Sequence, residues 1–428
     1  MDSNRKTAYN TLLEMETNQA YSNIELNKQI GALQPDSPAF VRELVYGVIE
    51  NRVYLDHILQ QLIPKGLKGL KKQTLTLLRM GLYQLIFMDS VPDYAAVNEI
   101  VKMARRLVPG RDGFVNGVLR GYNKKKDQLE MPDYDTDPIK YLSLKYSFAE
   151  WIVKLWNEQY GLEKAEQLLA ASNSKPQVSI RVNRLKISRK DLAERLREKG
   201  FEVERGRLSE RSLFVKGSGL LDTEEFESGL FSVQDESSIL AAEVLAPKNG
   251  ETIIDVCAAP GGKTLAISEI MANTGRVLAF DVYEHKLELL KKEAQRLGIS
   301  IIETGERDGT VLCEELIQTA DRVLVDGPCS GLGVIRRKPE IKYKELEDDG
   351  RELAEKQLAI LETASQYVKK GGFLLYSTCT VNKIENAEVV SRFLRKHKEY
   401  ELVRSRQLLP GVDETDGFFI CKMRRRNS

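Results

Sequence analysis

The sequence predicts a multidomain chain in three parts: an all-α N-terminal domain, a small α+β module, and an α/β domain built on a doubly wound, Rossmann-like parallel sheet. Three observations carry this. Apolar residues recur at helical spacing up to about Asn123, an acidic stretch with two prolines then breaks the pattern, and from about Thr252 short apolar strands alternate with helical segments. The boundaries that follow are 1–126 for the helical domain, 127–140 for a linker, 141–235 for the small module and 236–428 for the α/β domain. A chain of 428 residues has room for two to four domains at roughly 100–200 residues each.

In the first part, Leu44, Val45, Val48 and Ile49, and again Leu75, Leu78, Leu82, Leu85 and Ile86, fall on single helix faces. Its end, Lys102 to Lys126, carries eight basic residues and one acid, a local excess of seven charges that reads either as a solvated helix face or as a patch contacting nucleic-acid phosphates. The linker DQLEMPDYDTDPIK holds five acids and two prolines, which favours an extended connector. In the module, Trp151, Val153, Leu155 and Trp156 read as a helix, and VSIRVN, FEVERG and SLFVKG read as strands around a helix capped by Ser188. Arg181, Asn183, Arg184 and Lys186 give one edge a basic character that could also meet RNA.

The third part reads TIIDV, a helix from Thr264, RVLAFD, a helix through LELLKKEAQRLG, ISIIETG, a further helix, DRVLVDG, a long helix from about Lys344, GGFLLYS and a last helix. Strand and helix in turn mean parallel βαβ units.

Composition narrows the function. With 64 Lys and Arg against 63 Asp and Glu, the net charge of +1 announces no nucleic acid, so any basic surface must come from uneven placement. No run approaches the ~18 apolar residues of a membrane span, and the first residues lack a signal-peptide core, so a cytoplasmic chain without a membrane partner is expected. The five cysteines form no CxxC pair and the three histidines show no ligand spacing, which argues against disulfides and a bound metal.

Ligands of such sheets bind at the carboxyl ends of the strands. The first of these loops, Cys257-Ala-Ala-Pro-Gly-Gly-Lys-Thr264, lets a ligand approach the backbone closely and opens a helix N-terminus. A P-loop needs a glycine where Cys257 stands, although Gly262-Lys263-Thr264 fits its end, and GxGxxG is absent. Asp281, ending the second strand, could accept both hydroxyls of a ribose. Together these residues favour S-adenosylmethionine, with Asp308 toward the adenine and Asp326 toward the ligand's ammonium group. An ATP-binding alternative stays open.

Cys329 in DGPCSG and Cys379 in YSTCT follow strands and face the same crevice, whereas Cys313 on an apolar helix, Cys421 in FFICKM and Cys257 at a strand end read as inert. Carbon 5 of a pyrimidine is a poor nucleophile, and thiolate addition at carbon 6 makes it enamine-like and able to accept a methyl group. A second cysteine could assist release of the adduct.

The segments DVCAAPGGKT, VDGPCSGLGVIRRKPEIKY and YSTCT resemble those of the bacterial RNA cytosine-C5 methyltransferases. FSVQDESS and TDGFFICKMRR are similar to flanking family segments, and ELVYGVIENRVYLDHIL, VPDYAAVNEIVKMA and FVNGVLR are similar to the NusB-like domain of the RsmB (Sun) family. The resemblance implies an enzyme that methylates 16S ribosomal RNA, free or in an early small-subunit particle, and acts as a monomer. It implies Cys379 as nucleophile and Cys329 as the release-assisting cysteine. It also implies that Cys257, Ala258, Ala259, Pro260, Gly261, Gly262, Lys263, Asp281, Asp308 and Asp326 bind S-adenosylmethionine. The chain departs from the family at Phe148-Ala149, where relatives often carry His-Pro. Another RNA such as tRNA as substrate, a P-loop ATPase and a non-catalytic RNA-binding module are the rival readings.

Overall fold

Helical periodicity in the first part yields α1 (Ser3–Asn18), α2 (Ser22–Leu33), α3 (Pro38–Glu50), α4 (Arg52–Leu62), α5 (Lys72–Phe87), α6 (Asp93–Leu107) and α7 (Asp112–Lys125). The computed structural model describes all residues except 1, 19–21, 345–347, 349 and 428. The predicted apolar faces meet in one core that includes Leu44, Val48, Leu55, Leu77, Leu82 and Leu119. Sequence sets the ends as well: Pro38 opens α3 and Ser37 accepts the Phe40 N–H. All eight basic residues of the Lys102–Lys126 run are exposed, on α6, α7, the loop between them and the turn after them.

The linker is not a free tether. Its acids are exposed, yet the Glu130 carbonyl lies 2.8 Å from His57 Nε2, and the Glu130 N–H donates to Gln61 Oε1 at 2.8 Å. Helices α8 (Pro138–Tyr146), α9 (Glu150–Tyr160) and α10 (Leu162–Ser172) follow. The chain forms two compact units, Met1–Asn173 with Ile335–Glu345, and Ser174–Val334 with Leu346–Ser428. Composition breaks earlier than compactness does, because Ser147 after α8 accepts the Val53 N–H of α4 at 3.0 Å. Phe148 is buried against Trp156, so the family departure at this position is a core residue.

Inside the first unit, the segment Ile335–Glu345 supplies caps for other elements. Lys342 Nζ donates to the Glu50 carbonyl at 3.0 Å and to Asn173 Oδ1 at 2.6 Å, at the ends of α3 and α10. The Tyr343 hydroxyl donates to the Ile49 carbonyl and accepts the Arg52 N–H at 3.2 Å, bridging the break between α3 and α4.

The second unit opens with an antiparallel sheet of order β2-β3-β1-β4, made of β1 (Val178–Val182), β2 (Glu202–Arg205), β3 (Ser212–Lys216) and β4 (Phe231–Val233). Helix α11 (Arg189–Glu198) covers it, started by Ser188 as the sequence predicts, and a short α12 (Glu224–Glu227) precedes β4. The expected basic edge is not a free surface. Arg181 is 1% exposed and Asn183 is fully buried, and only Arg184 and Lys186 reach solvent.

After α13 (Glu236–Leu245) comes a seven-stranded sheet of order β10-β11-β9-β8-β5-β6-β7. Its parallel part is β5 (Thr252–Asp255), β6 (Arg276–Asp281), β7 (Ile302–Glu306), β8 (Ala320–Asp326) and β9 (Val368–Thr378), with α14 (Gly262–Ile270), α15 (Glu284–Leu297) and α16 (Arg351–Tyr367) as crossovers. The start expected for the last of these, at Lys344, borders residues outside those described.

Two expectations are corrected. No α-helix joins β7 to β8 among the described residues: Asp308 closes its own turn onto Thr310, leaving a single 3₁₀ turn at Glu314–Leu316, so Cys313 lies in a loop. The sheet is also not wholly parallel. After α17 (Val389–Lys396), β10 (Tyr400–Leu408) and β11 (Phe418–Arg425) are joined without a crossover helix, so they pair antiparallel with each other, and β11 with β9.

Candidate active site

β5 ends at Asp255, whose buried carboxylate accepts from Thr264 Oγ1 at 2.7 Å and from the Cys257 N–H at 3.3 Å. These bonds close the loop from its inner side. Burial pushes Asp255 up to about 7, with the Thr264 hydrogen bond opposing. Sequence reasoning missed this residue, although an acid at the buried end of a strand just before a glycine-rich loop was visible.

The loop then bonds to its neighbours along the sheet edge. The Ala258 N–H donates to the Phe280 carbonyl at 2.8 Å, and the Ala259 N–H to Asp281 Oδ2 at 3.0 Å. Gly261 has φ +110° and faces the Leu290 side chain where a Cβ would collide, so glycine is required twice over. Asp281 Oδ1 also takes the Tyr283 N–H at 3.1 Å. A carboxylate offers about four acceptor sites, so these two bonds leave capacity for a ribose hydroxyl pair.

Lys263 is the residue a phosphate-binding loop would send to a nucleotide. Here its ammonium donates to Asp326 Oδ2 at 2.6 Å and lies 4.9 Å from the centre of the Phe418 ring. Asp326 Oδ1 accepts from Ser377 Oγ at 2.8 Å. Asp308 is exposed, and its Oδ1 accepts from the Thr310 N–H and hydroxyl at 2.9 and 2.7 Å, which hold its carboxyl below the usual range.

β8 and β9 are adjacent and parallel, with Asp326 opposite Ser377. The loops that leave them therefore rise side by side, and Cys329 Sγ stands 3.2 Å from Cys379 Sγ. Contact with the Cys379 thiol, then burial and the nearby Glu385 carboxylate, push Cys329 well above the usual thiol range. Cys257 and Cys421 are also raised by burial, Cys421 to about 12, and neither belongs to this pair.

A second group of residues that sequence reasoning missed holds these loops. Glu385 Oε2 accepts from the Ser330 N–H at 2.8 Å and from Gln357 Nε2 at 3.2 Å, and Oε1 from Asn382 Nδ2 at 3.1 Å. Ser330 Oγ meets Thr380 Oγ1 at 2.8 Å, and Asn386 Nδ2 donates to the Thr380 carbonyl at 3.0 Å. The polar cluster NKIENAE, three residues after Cys379, was the available signal.

Residues 242–424 match the family model described as 16S rRNA methyltransferase RsmB/F, residues 2–124 the NusB family, and residues 148–220 the ferredoxin-like domain of RsmF/B-like methyltransferases. The chain is 40% identical to the "Probable ribosomal RNA small subunit methyltransferase B" of Bacillus subtilis (strain 168), covering 99% of this chain and 98% of that one. It is 34% identical to the ribosomal RNA small subunit methyltransferase B of Serratia proteamaculans, with 90% of each covered. The crystal structure of PH0851 is similar over 97% of this chain and 98% of its own, at 26% identity and a TM-score of 0.83.

Proposed function

This chain belongs to the RsmB/F family of S-adenosylmethionine-dependent 16S ribosomal RNA methyltransferases, and from that premise we propose that it methylates carbon 5 of a cytosine through a covalent adduct on Cys379. The observation that carries this reading is the pair of thiols 3.2 Å apart on two strand-end loops, one of which is tied through Asp326 to Lys263 of the glycine-rich loop.

S-adenosylmethionine, when bound, supplies an electrophilic methyl group. Asp281 would take its ribose hydroxyls, the loop Cys257 to Lys263 its amino-acid end, and Asp308 would border its adenine. The Cys379 thiolate adds to carbon 6 of the cytosine, and carbon 5 becomes nucleophilic enough to be methylated. Transfer of the carbon 5 proton to solvent water then lets the bond between carbon 6 and sulfur break, its electron pair returning to Cys379 as thiolate. Cys329 has its pKa raised and stays a thiol, so it donates a hydrogen bond to the departing sulfur. A target held in a stem must first be flipped out of its stack. The ATPase reading loses its support, since Lys263 is engaged with Asp326 and the family is a methyltransferase family.

The order of these steps fixes the test. Cys379→Ala should be inactive and leave no adduct. Cys329→Ala should attack and methylate yet release slowly, accumulating a protein–RNA band that survives denaturing electrophoresis, and the double variant should form none. An adduct in Cys379→Ala but not in Cys329→Ala would exchange the two roles. Full methyl transfer by both single variants would end the covalent reading.

A further inference from the structure

The small antiparallel module was expected to offer Arg181 to RNA, but its guanidinium is buried against α14 instead. Arg181 Nε and Nη2 donate to the two oxygens of Glu269 at 3.1 and 2.9 Å, a bidentate pair with both side chains 1% exposed. Nη1 donates to the Gly262 carbonyl at 3.0 Å and to Gln234 Oε1. Gly262 is the first residue of α14 and Glu269 lies seven residues on, two turns later on the same helix face. One planar fork on β1 therefore grips α14 at its first turn and at its last.

We propose that Arg181 is a positioning residue for the S-adenosylmethionine site, through which the small module sets the place of α14 and of the loop ahead of it. The loop needs outside support. It contains Gly261 in a left-handed conformation and Gly262 beside it, and neither has a side chain to anchor it. Gln234 closes the same joint: its N–H donates to the Ser179 carbonyl of β1 at 3.1 Å, and its side chain packs against Gly262. The residue after Gly262 is Lys263, whose reach to Asp326 depends on where the helix begins. A rotation or slide of α14 would move Lys263 and the N-terminal N–H groups together, and small misplacements of such groups are costly in binding and rate.

This inference rests on the methyltransferase reading, and the test separates the two. Removing one member of a buried ion pair strands the other charge, whereas replacing both with apolar residues of similar size is often neutral for stability. The pair Arg181→Met/Glu269→Met should therefore melt close to the wild-type temperature. Its calorimetric Kd for S-adenosylhomocysteine should nevertheless rise at least tenfold, with KM for RNA changed less than twofold. Arg181→Lys keeps the charge facing Glu269 but loses the fork, and should weaken the same binding about threefold or more at a temperature where the variant stays folded. Native S-adenosylhomocysteine affinity in either folded variant overturns the role of Arg181 and leaves the enzyme assignment standing. A raised KM for RNA with unchanged S-adenosylhomocysteine binding overturns it too, in favour of an RNA contact. Absence of S-adenosylhomocysteine binding by the wild-type chain would remove the cofactor reading itself.

Discussion

At the scale of single residues, the site is governed by which groups the fold desolvates. Asp255 is the clearest case, because its folded pKa near 7 stands above the ordinary 3.8. Between about pH 4 and pH 7 the folded chain keeps this proton while the unfolded chain has lost it. The contribution of Asp255 to stability is thus full below pH 4 and is lost as pH rises through 7. Asp255→Asn, permanently neutral and of the same shape, should lack that slope. Its melting temperature relative to wild type should rise from pH 5 to pH 8 in a thermal unfolding series, and parallel profiles would show that the carboxyl is already ionised at pH 5. Asp308 illustrates the opposite outcome. The sequence reads it as a residue facing the adenine, and the Thr310 bonds show that it also closes its own turn.

At the scale of elements, the basic run on α6 and α7 combines a buried face with an exposed one. Ile100, Met103, Ala104, Val115 and Leu119 enter the core, while Arg105, Arg106 and Arg111 remain in solvent. Arg105 and Arg106 lie in the last turn of α6, where cations also complement the helix dipole. Neutralising Arg105, Arg106 and Arg111 together should weaken RNA binding and reduce the slope of log affinity against log salt by up to about three, the number of phosphate contacts removed. Filter binding across a salt series checks this, and an unchanged slope would make the run an ordinary solvated face. Helix α14 shows how differently an element's two ends can be used: its start faces the glycine-rich loop while Arg181 and Glu269 fix its body.

At the scale of the whole molecule, the helical unit is completed by residues from far down the chain. Lys342 and Tyr343 cap the ends of α3, α4 and α10, so that unit cannot reach its final state until the segment Ile335–Glu345 has been made. Burial pushes Lys342 down to about 7, partly opposed by Glu50, and its Nζ donates to the Glu50 carbonyl and to Asn173 Oδ1. Lys342→Ala should cost about 2 kcal/mol through its lost hydrogen bonds and packing, or roughly 4–8 °C for a unit of this size. Differential scanning calorimetry would read it, and an unshifted profile would mean that water replaces the ammonium without loss.

Much of this was legible in the sequence. Helical spacing around Leu44 and Leu78, the alternation from TIIDV to GGFLLYS, and the strand-end positions of Cys257, Asp281, Asp326, Cys329 and Cys379 all follow from local periodicity and from the rule that loops after parallel strands converge. What the linear chain could not show is which polar groups the fold removes from water. Arg181 reads as a basic edge residue and becomes a buried clamp, and Glu385, unmarked in the sequence, becomes the acceptor for the Cys329 loop. Strands β10 and β11 follow the last helix read from the sequence and were not read there at all, and an apolar strand pattern carries no direction in any case. Local preference depends on neighbours within a few residues, which the sequence contains; pairing of charges 88 residues apart, as between Arg181 and Glu269, exists only once distant segments have packed and made an unpaired charge costly.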